Sequence, residues 1–186
     1  MTIDKRLLLT GLAVAAMTFA SVATSSASAA VWKDNGTNVT HFIEIGLSGG
    51  EVFETTAGNG MSCEIHATLT TEGGSTGTIT QFVTNACPTG FGSFSGCAVV
   101  TSEALGLPWK VDVNKTDLTI TGWHTRRTFN AGCATAELNK TIASITATLN
   151  SPTAITEVEF LGKISGYTTL GSFTVDAPNS GTYGIG

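Results

Sequence analysis

Few residues of this 186-residue chain have types and spacing that suggest catalysis. The segment from Gly46 to Gly50 reads G-L-S-G-G and matches the G-x-S-x-G motif, which in α/β-hydrolases places a nucleophilic serine on a turn between a strand and a helix. The residues that follow, Glu51 to Thr55, alternate like a strand and not like a helix. We therefore interpret the motif as a turn between two strands, and Ser48 is not predicted to be a nucleophile.

Carboxylates and histidines suggest a second kind of chemistry. Glu64 and His66 are two residues apart and share one face of a strand, and His124 could join them from another strand, but the spacing reveals no complete ligand set. Glu157 and Glu159 also share a face, whereas a glycosidase needs its two carboxyl groups on opposite sides of a cleft. The sequence thus predicts no catalytic residue, no metal site, no cofactor and no enzymatic activity.

Two aromatic segments are the stronger candidates for binding. In the loop between Cys87 and Cys97, Phe91 and Phe94 would present their rings to a partner at low ordering cost if a disulfide closes the loop. The alternative is that both rings fold back and cover one end of the core.

The second segment is Trp123-His124-Thr125-Arg126-Arg127, with Trp109 expected nearby. An aromatic ring beside guanidinium and imidazole donors suits a sugar or a carboxylate. The alternative is a core tryptophan followed by the polar end of a strand. The full set of candidate binding residues is Phe91, Phe94, Trp109, Trp123, His124, Arg126 and Arg127.

The four cysteines, Cys63, Cys87, Cys97 and Cys133, follow a segment typical of export, and an even number there indicates two disulfides. We predict the pair Cys87–Cys97, which flanks one glycine-rich loop, and with it Cys63–Cys133. The alternative is Cys63–Cys87, because a hairpin that turns near Gly74 would place these two residues opposite each other. A zinc site is not favoured, since the chain has no closely spaced C-x₂₋₄-C pair.

The export segment lies at the start of the chain. Lys5 and Arg6 precede the uncharged run Leu7 to Ala20, and Ala27-Ser28-Ala29 has the form that a signal peptidase recognises. The uncharged run is shorter than the ~20 residues that span a bilayer. We therefore predict a signal peptide at 1–29, a single domain at 30–186 with no transmembrane segment, and a secreted, extracellular or envelope-associated location.

Alternation with a period of two dominates the predicted domain. From Cys63 to Thr70 the apolar residues take every odd position, and the same pattern recurs at Ile145, Ala147 and Leu149. Glycine-rich turn signals separate such runs. The pattern is typical of an all-β domain, either a single antiparallel β-sandwich or a closed β-barrel of about ten strands.

Charge limits the partners. Charged residues make up 12% of the chain and its net charge is −5, which disfavours nucleic acids and anionic membrane surfaces, because both require clustered basic residues. The partner classes that remain are a glycan, a small apolar ligand and a protein.

Three short segments carry a resemblance to a family. Leu47 to Phe53 (L-S-G-G-x-x-F), Ser62 to Ile65 (S-C-E-I) and Cys87 to Trp109 (C … G-C-x-V-x-x … L-P-W) resemble uncharacterised secreted β-rich proteins of Gram-positive soil bacteria. The resemblance covers residues 40–125 and implies an exported β fold without an established activity. The Cys87-to-Cys97 spacing is also similar to that of the enediyne-binding neocarzinostatin-type apoproteins, but Cys63 and Cys133 depart from their second pair, so that ligand is not implied.

The predicted function is that of a secreted, non-catalytic binding or structural protein. One alternative is a small secreted hydrolase, which requires titratable groups that converge in a cleft. Another is a proteinaceous inhibitor, which requires the Cys87–Cys97 loop to be rigid and to protrude. Binding of a sugar or an apolar ligand predicts an open groove lined by Trp109 or Trp123.

Overall fold

A computed structural model describes residues 29–176 and 182–186 of the chain. The predicted signal peptide, apart from Ala29, lies outside the described residues. Within them the one helical segment is a 3₁₀ turn at Gly92–Phe94, and the rest of the regular structure is strand, so the predicted all-β fold is confirmed. The strands are β1 (Trp32–Asp34), β2 (Thr37–Asn38), β3 (Ile43–Thr55), β4 (Gly60–Thr71), β5 (Thr76–Phe91), β6 (Val99–Ala104), β7 (Trp109–Val113), β8 (Asp117–Phe129), β9 (Glu137–Leu149), β10 (Glu157–Ile164), β11 (Tyr167–Val175) and β12 (Tyr183–Ile185).

Eight of these strands close into an antiparallel barrel. Their order is β8-β7-β5-β4-β3-β11-β10-β9, and β9 pairs back onto β8 to complete the ring. Strand β6 is an additional neighbour of β8, and β12, β1 and β2 form a separate three-stranded sheet. Of the two predicted architectures the barrel is therefore the one that forms, and its alternating residues point into one enclosed core.

Strand β8 changes its facing side at Gly122. Before this residue Ile120 points into the core, and after it Trp123 and Arg127 do, while Arg126 points outward. Gly122 has a φ of +88°, which glycine adopts without steric cost. At this point β8 also exchanges β7 for β6 as its neighbour. The irregularity decides that Arg127, and not Arg126, enters the barrel.

Strand β3 runs straight through the predicted turn. Gly49 and Gly50 lie inside the strand, so the interpretation of the G-x-S-x-G motif as a turn is wrong. A Cβ atom at Gly49 would lie 1.9 Å from the carbonyl oxygen of Ser172 on β11. Glycine is required here by the close approach of two strands and not by a reversal of the chain.

Aromatic rings fill the middle of the barrel. Trp123 stacks near Trp109 with a centroid distance of 4.8 Å, and Phe82 and Phe160 pack against Trp123 at 4.8 and 5.3 Å. The small sheet lies over one end, where Trp32 from β1 is fully buried. Beneath it remains an apolar cavity of about 20 Å³, which is close to the least space that a water molecule needs. The interior is thus a packed core.

The disulfides correct the predicted pairing. Cys63 bonds to Cys87 and Cys97 to Cys133, so the predicted pairs Cys87–Cys97 and Cys63–Cys133 are wrong, and the alternative Cys63–Cys87 is correct. The reason is the register of the β4–β5 hairpin, which pairs Ser62 with Thr89 and Glu64 with Ala86. Cys63 and Cys87 lie between these two pairs and therefore face each other. The second bond links the segment after the 3₁₀ turn to the loop after β8.

Removal of the second disulfide tests its contribution. The variant with both Cys97→Ser and Cys133→Ser should lose about 3–4 kcal/mol of unfolding free energy, because the bond closes a separation of 36 residues in the unfolded chain. Urea titration of the variant and the native protein measures the difference. Peptide mapping without reduction provides the control, since it should recover Cys63 linked to Cys87 in both proteins. A Cys87–Cys97 peptide would contradict the observed pairing.

Candidate functional site

The two tryptophans proposed for binding are core residues. Trp109 and Trp123 are each 1% exposed, and the Trp109 Nε1–H donates a hydrogen bond of 2.9 Å to the carbonyl oxygen of Leu105. Neither ring has a face open to a ligand, because the rings fill the middle of the barrel. The expected groove lined by these indoles is not present among the described residues, and both side chains leave the candidate site.

The loop after β5 covers the other end of the barrel. Phe94 is buried, and its ring packs edge-on against Phe53 at 5.8 Å and Phe129 at 5.1 Å. Phe91 is half-buried at the end of β5 beside Gly60. A loop that covers the core does not protrude, and the disulfide predicted to close it does not form. The inhibitor alternative loses its basis.

The barrel wall separates the three polar candidates. His124 Nε2 lies 2.7 Å from Asn139 Oδ1 on the outer face, and Arg126 forms a solvent-exposed ion pair of 2.6 Å with Glu103. Arg127 points in the opposite direction, into the barrel. The structure therefore does not bring His124, Arg126 and Arg127 together around one ligand.

Arg127 belongs to a buried polar cluster. Its Nη2 donates to Glu51 Oε2 at 2.5 Å, and both side chains are fully buried. The other Glu51 oxygen accepts a hydrogen bond of 2.6 Å from the Thr169 hydroxyl, and the guanidinium lies 4.9 Å from the centre of the Phe53 ring. Pairing, hydrogen bonding and the cation–π contact each offset part of the cost of removing two charges from water.

Tyr167 lies beside this ion pair. Burial raises the pKa of its phenol above the ordinary value, and the negative charge of Glu51 adds to the effect. Its ring stacks on Phe53 at 6.3 Å, and its hydroxyl faces Arg127 and Thr125, which lower its pKa and so oppose part of the rise. Aromatic rings cover the cluster and shield it from solvent, so its groups support the core.

Two of the catalytic candidates, Ser48 and His66, are neighbours on the outer surface of β3 and β4. The Ser48 hydroxyl donates to the carboxylate of Asp176, and His66 is the register partner of Ser48 on β4. In a serine–histidine–aspartate triad the histidine lies between the other two residues and is hydrogen-bonded to both. Among the described residues no hydrogen bond joins His66 to Ser48 or to Asp176, so this arrangement is not a triad. The described part of the chain also holds no group of three or more metal-ligating side chains.

A groove of about 730 Å³ crosses the outside of the barrel over β3, β11 and β10. Val52, Leu170 and Leu161 are consecutive register partners on these three strands, and we call them the apolar row. Leu161 is 47% and Leu170 40% exposed, which leaves two leucines side by side in water. This exposed apolar pair makes the groove a candidate interaction surface.

Uncharged side chains extend the apolar row on both sides. Ser62 pairs with Val52, and Thr146 pairs with Leu161. Glu159 is the one ionisable residue among the side chains that line the groove. The apolar row and its uncharged neighbours are thus suited to an uncharged, apolar partner.

Sequence reasoning missed both the buried pair and the apolar row. For Glu51 a signal existed, since it shares its parity with Phe53, which is an obvious core residue. For Leu161 and Leu170 the signal was an apolar residue on the polar side of each alternation. That the two lie next to each other follows from the register of β10 and β11, which the sequence does not state.

The described residues form no helix long and apolar enough to cross a membrane. A family model described as "Alkane oxidation protein activator PraA/PraB-like" matches residues 4–175, which includes strands β1 to β11. No curated protein and no solved structure matches the chain. The Gram-positive origin and the export implied by the earlier resemblance stay predictions.

Proposed function

Because the chain belongs to the PraA/PraB-like family of alkane oxidation protein activators, we propose that it is an exported, non-catalytic accessory protein that contacts alkanes through the apolar row. The observation that carries the proposal is the pair Leu161 and Leu170, adjacent on neighbouring strands and both exposed. An alkane has neither charge nor hydrogen-bonding groups, so apolar side chains are the groups that can hold it.

The packed interior directs this contact to the outside of the barrel. The cavity of about 20 Å³ under the small sheet has no space for an alkane chain. The buried charges at the other end, Glu51 and Arg127, would be a poor lining for one. The outer groove of about 730 Å³ offers both the space and the apolar side chains.

The family description and the cysteines support the remaining parts of the proposal. An activator promotes a reaction that another protein carries out, which agrees with a barrel whose interior is packed with side chains. Two disulfides are typical of proteins that fold in oxidising compartments outside the cytoplasm.

Removal of the two leucines tests the proposal. The double variant Leu161→Thr/Leu170→Thr should bind hexadecane droplets about 30-fold more weakly than the native protein, because each leucine contributes about 1 kcal/mol when its exposed part is covered. Threonine suits an exposed strand position, so the fold should be retained. The amount of protein depleted from the aqueous phase measures the binding.

A matched control removes two exposed apolar residues elsewhere. Val83→Thr/Val100→Thr changes residues that are 41% and 64% exposed and lie away from the groove, and it should bind like the native protein. In parallel, alkane consumption by alkane-oxidising cells should increase with added native protein and not with the leucine variant. Equal loss of droplet binding in the two double variants would show that the apolar row has no special role.

A further inference from the structure

A second groove, of about 360 Å³, lies on the barrel surface at the end covered by the small sheet. It runs over the end of β4 and the beginnings of β5 and β7, far in register from the apolar row. Its chemistry differs from that of the apolar row. Its lining residues are Phe42, Thr70, Thr71, Glu72, Gly73, Thr76, Gly77, Thr78 and Lys110.

Phe42 forms one wall of this groove. It is 58% exposed, although its chain neighbour Ile43 is buried. It makes no ring–ring contact with the other aromatic residues that the structure describes. An aromatic ring that stands in water beside a groove offers a flat apolar face on which a ligand can stack.

The floor of the groove is a polar row across three strands. Thr70 on β4 pairs with Thr78 on β5, and Thr78 pairs with Lys110 on β7. The hydroxyl oxygens of the two threonines are 3.0 Å apart, and the Lys110 ammonium is 2.7 Å from the carboxylate of Asp112. The two hydroxyls and the ammonium thus lie on three neighbouring strands, which are ~4.8 Å apart, and Asp112 holds the ammonium from two residues further along β7.

This combination selects the chemical class of the ligand. An alkyl chain would displace water from the exposed Lys110 ammonium without replacing its hydrogen bonds, which costs free energy. A polyanion would meet Glu72 and Asp112 next to a single lysine, on a chain whose net charge is −5. A neutral sugar has an apolar ring face for Phe42 and hydroxyls that both donate and accept.

We propose that this groove binds a neutral polysaccharide, with one sugar ring stacked on Phe42 and the chain lying along Thr78 and Lys110. The proposal is independent of the alkane contact, because the two grooves share no lining residue. A protein with both surfaces would join a hydrated sugar polymer on one side to an apolar phase on the other.

Native affinity gels that contain dextran, laminarin or hydroxyethylcellulose test this binding with the full-length protein. At least one of these neutral polysaccharides should retard the native protein. Phe42→Ala should weaken the retardation by about tenfold or more, as expected for a central aromatic contact, while Phe42→Tyr should retain it. Val100→Ala, at a more exposed residue outside the groove, is the matched control and should not change it.

Several results would overturn the proposal. These are no retardation by any of the three polymers, equal retardation of the native protein and Phe42→Ala, or stronger and salt-sensitive retardation by the anionic polymer alginate. Loss of retardation in Leu161→Thr/Leu170→Thr would also overturn it, because the sugar would then bind at the apolar row. Circular dichroism spectra and unfolding temperatures that match those of the native protein show that the Phe42 variants are folded.

Discussion

Replacement of Arg127 by methionine is expected to lower the free energy of unfolding by about 3–5 kcal/mol. The substitution leaves the fully buried carboxylate of Glu51 without its ion-pair partner, and of the described side chains the Thr169 hydroxyl alone still donates to it. A buried charge without a counter-charge is among the costliest defects in a core. Urea denaturation followed by tryptophan fluorescence measures the loss, because Trp109 and Trp123 are fully buried in the folded barrel and become exposed on unfolding.

The neighbouring residue supplies the control. Arg126→Met breaks the exposed ion pair with Glu103, and the expected loss is about 1 kcal/mol or less, because water replaces the lost partner. The double variant Glu51→Leu/Arg127→Met removes both buried charges and should be more stable than Arg127→Met alone. Equal losses for Arg126→Met and Arg127→Met would show that Arg127 is not buried in the way the structure describes.

Trp123→Ala is expected to cost about 3–5 kcal/mol, because it removes the ring on which Phe82, Trp109 and Phe160 pack. The cavity left in the middle of a closed barrel cannot collapse easily, because backbone hydrogen bonds hold each surrounding strand to a neighbour on either side. Thermal unfolding of the variant measures the effect.

The exposed aromatic residue Phe42 provides the comparison for Trp123. Phe42→Ala should change the unfolding free energy by no more than about 0.5 kcal/mol, because the ring contributes little to the core. The pair thus separates an aromatic residue that supports the fold from one that is available to a ligand. A Trp123→Ala protein as stable as Phe42→Ala would mean that Phe82, Trp109 and Phe160 do not depend on the Trp123 ring for their packing.

Alternation along the chain was enough to predict most strands. Cys63 to Thr70 forms the centre of β4 with its odd positions inside, and Ile145, Ala147 and Leu149 line the core from β9. The prediction works because one face of each strand is buried and a strand exposes alternate residues to each face. Where a strand carries an irregularity, as β8 does at Gly122, parity no longer tells which side chain enters the core.

Composition and pattern by themselves determined that the chain forms an antiparallel all-β domain with two disulfides, because period-two alternation, turn glycines and an even number of cysteines are local properties. Only the tertiary structure decided which cysteines pair, that Trp109 and Trp123 are core residues, and that Arg127 meets Glu51. These outcomes depend on strand register and on the closure of the barrel, which bring together residues far apart in the chain. The apolar row and the Phe42 groove arise in the same way, since each is made of single residues on neighbouring strands.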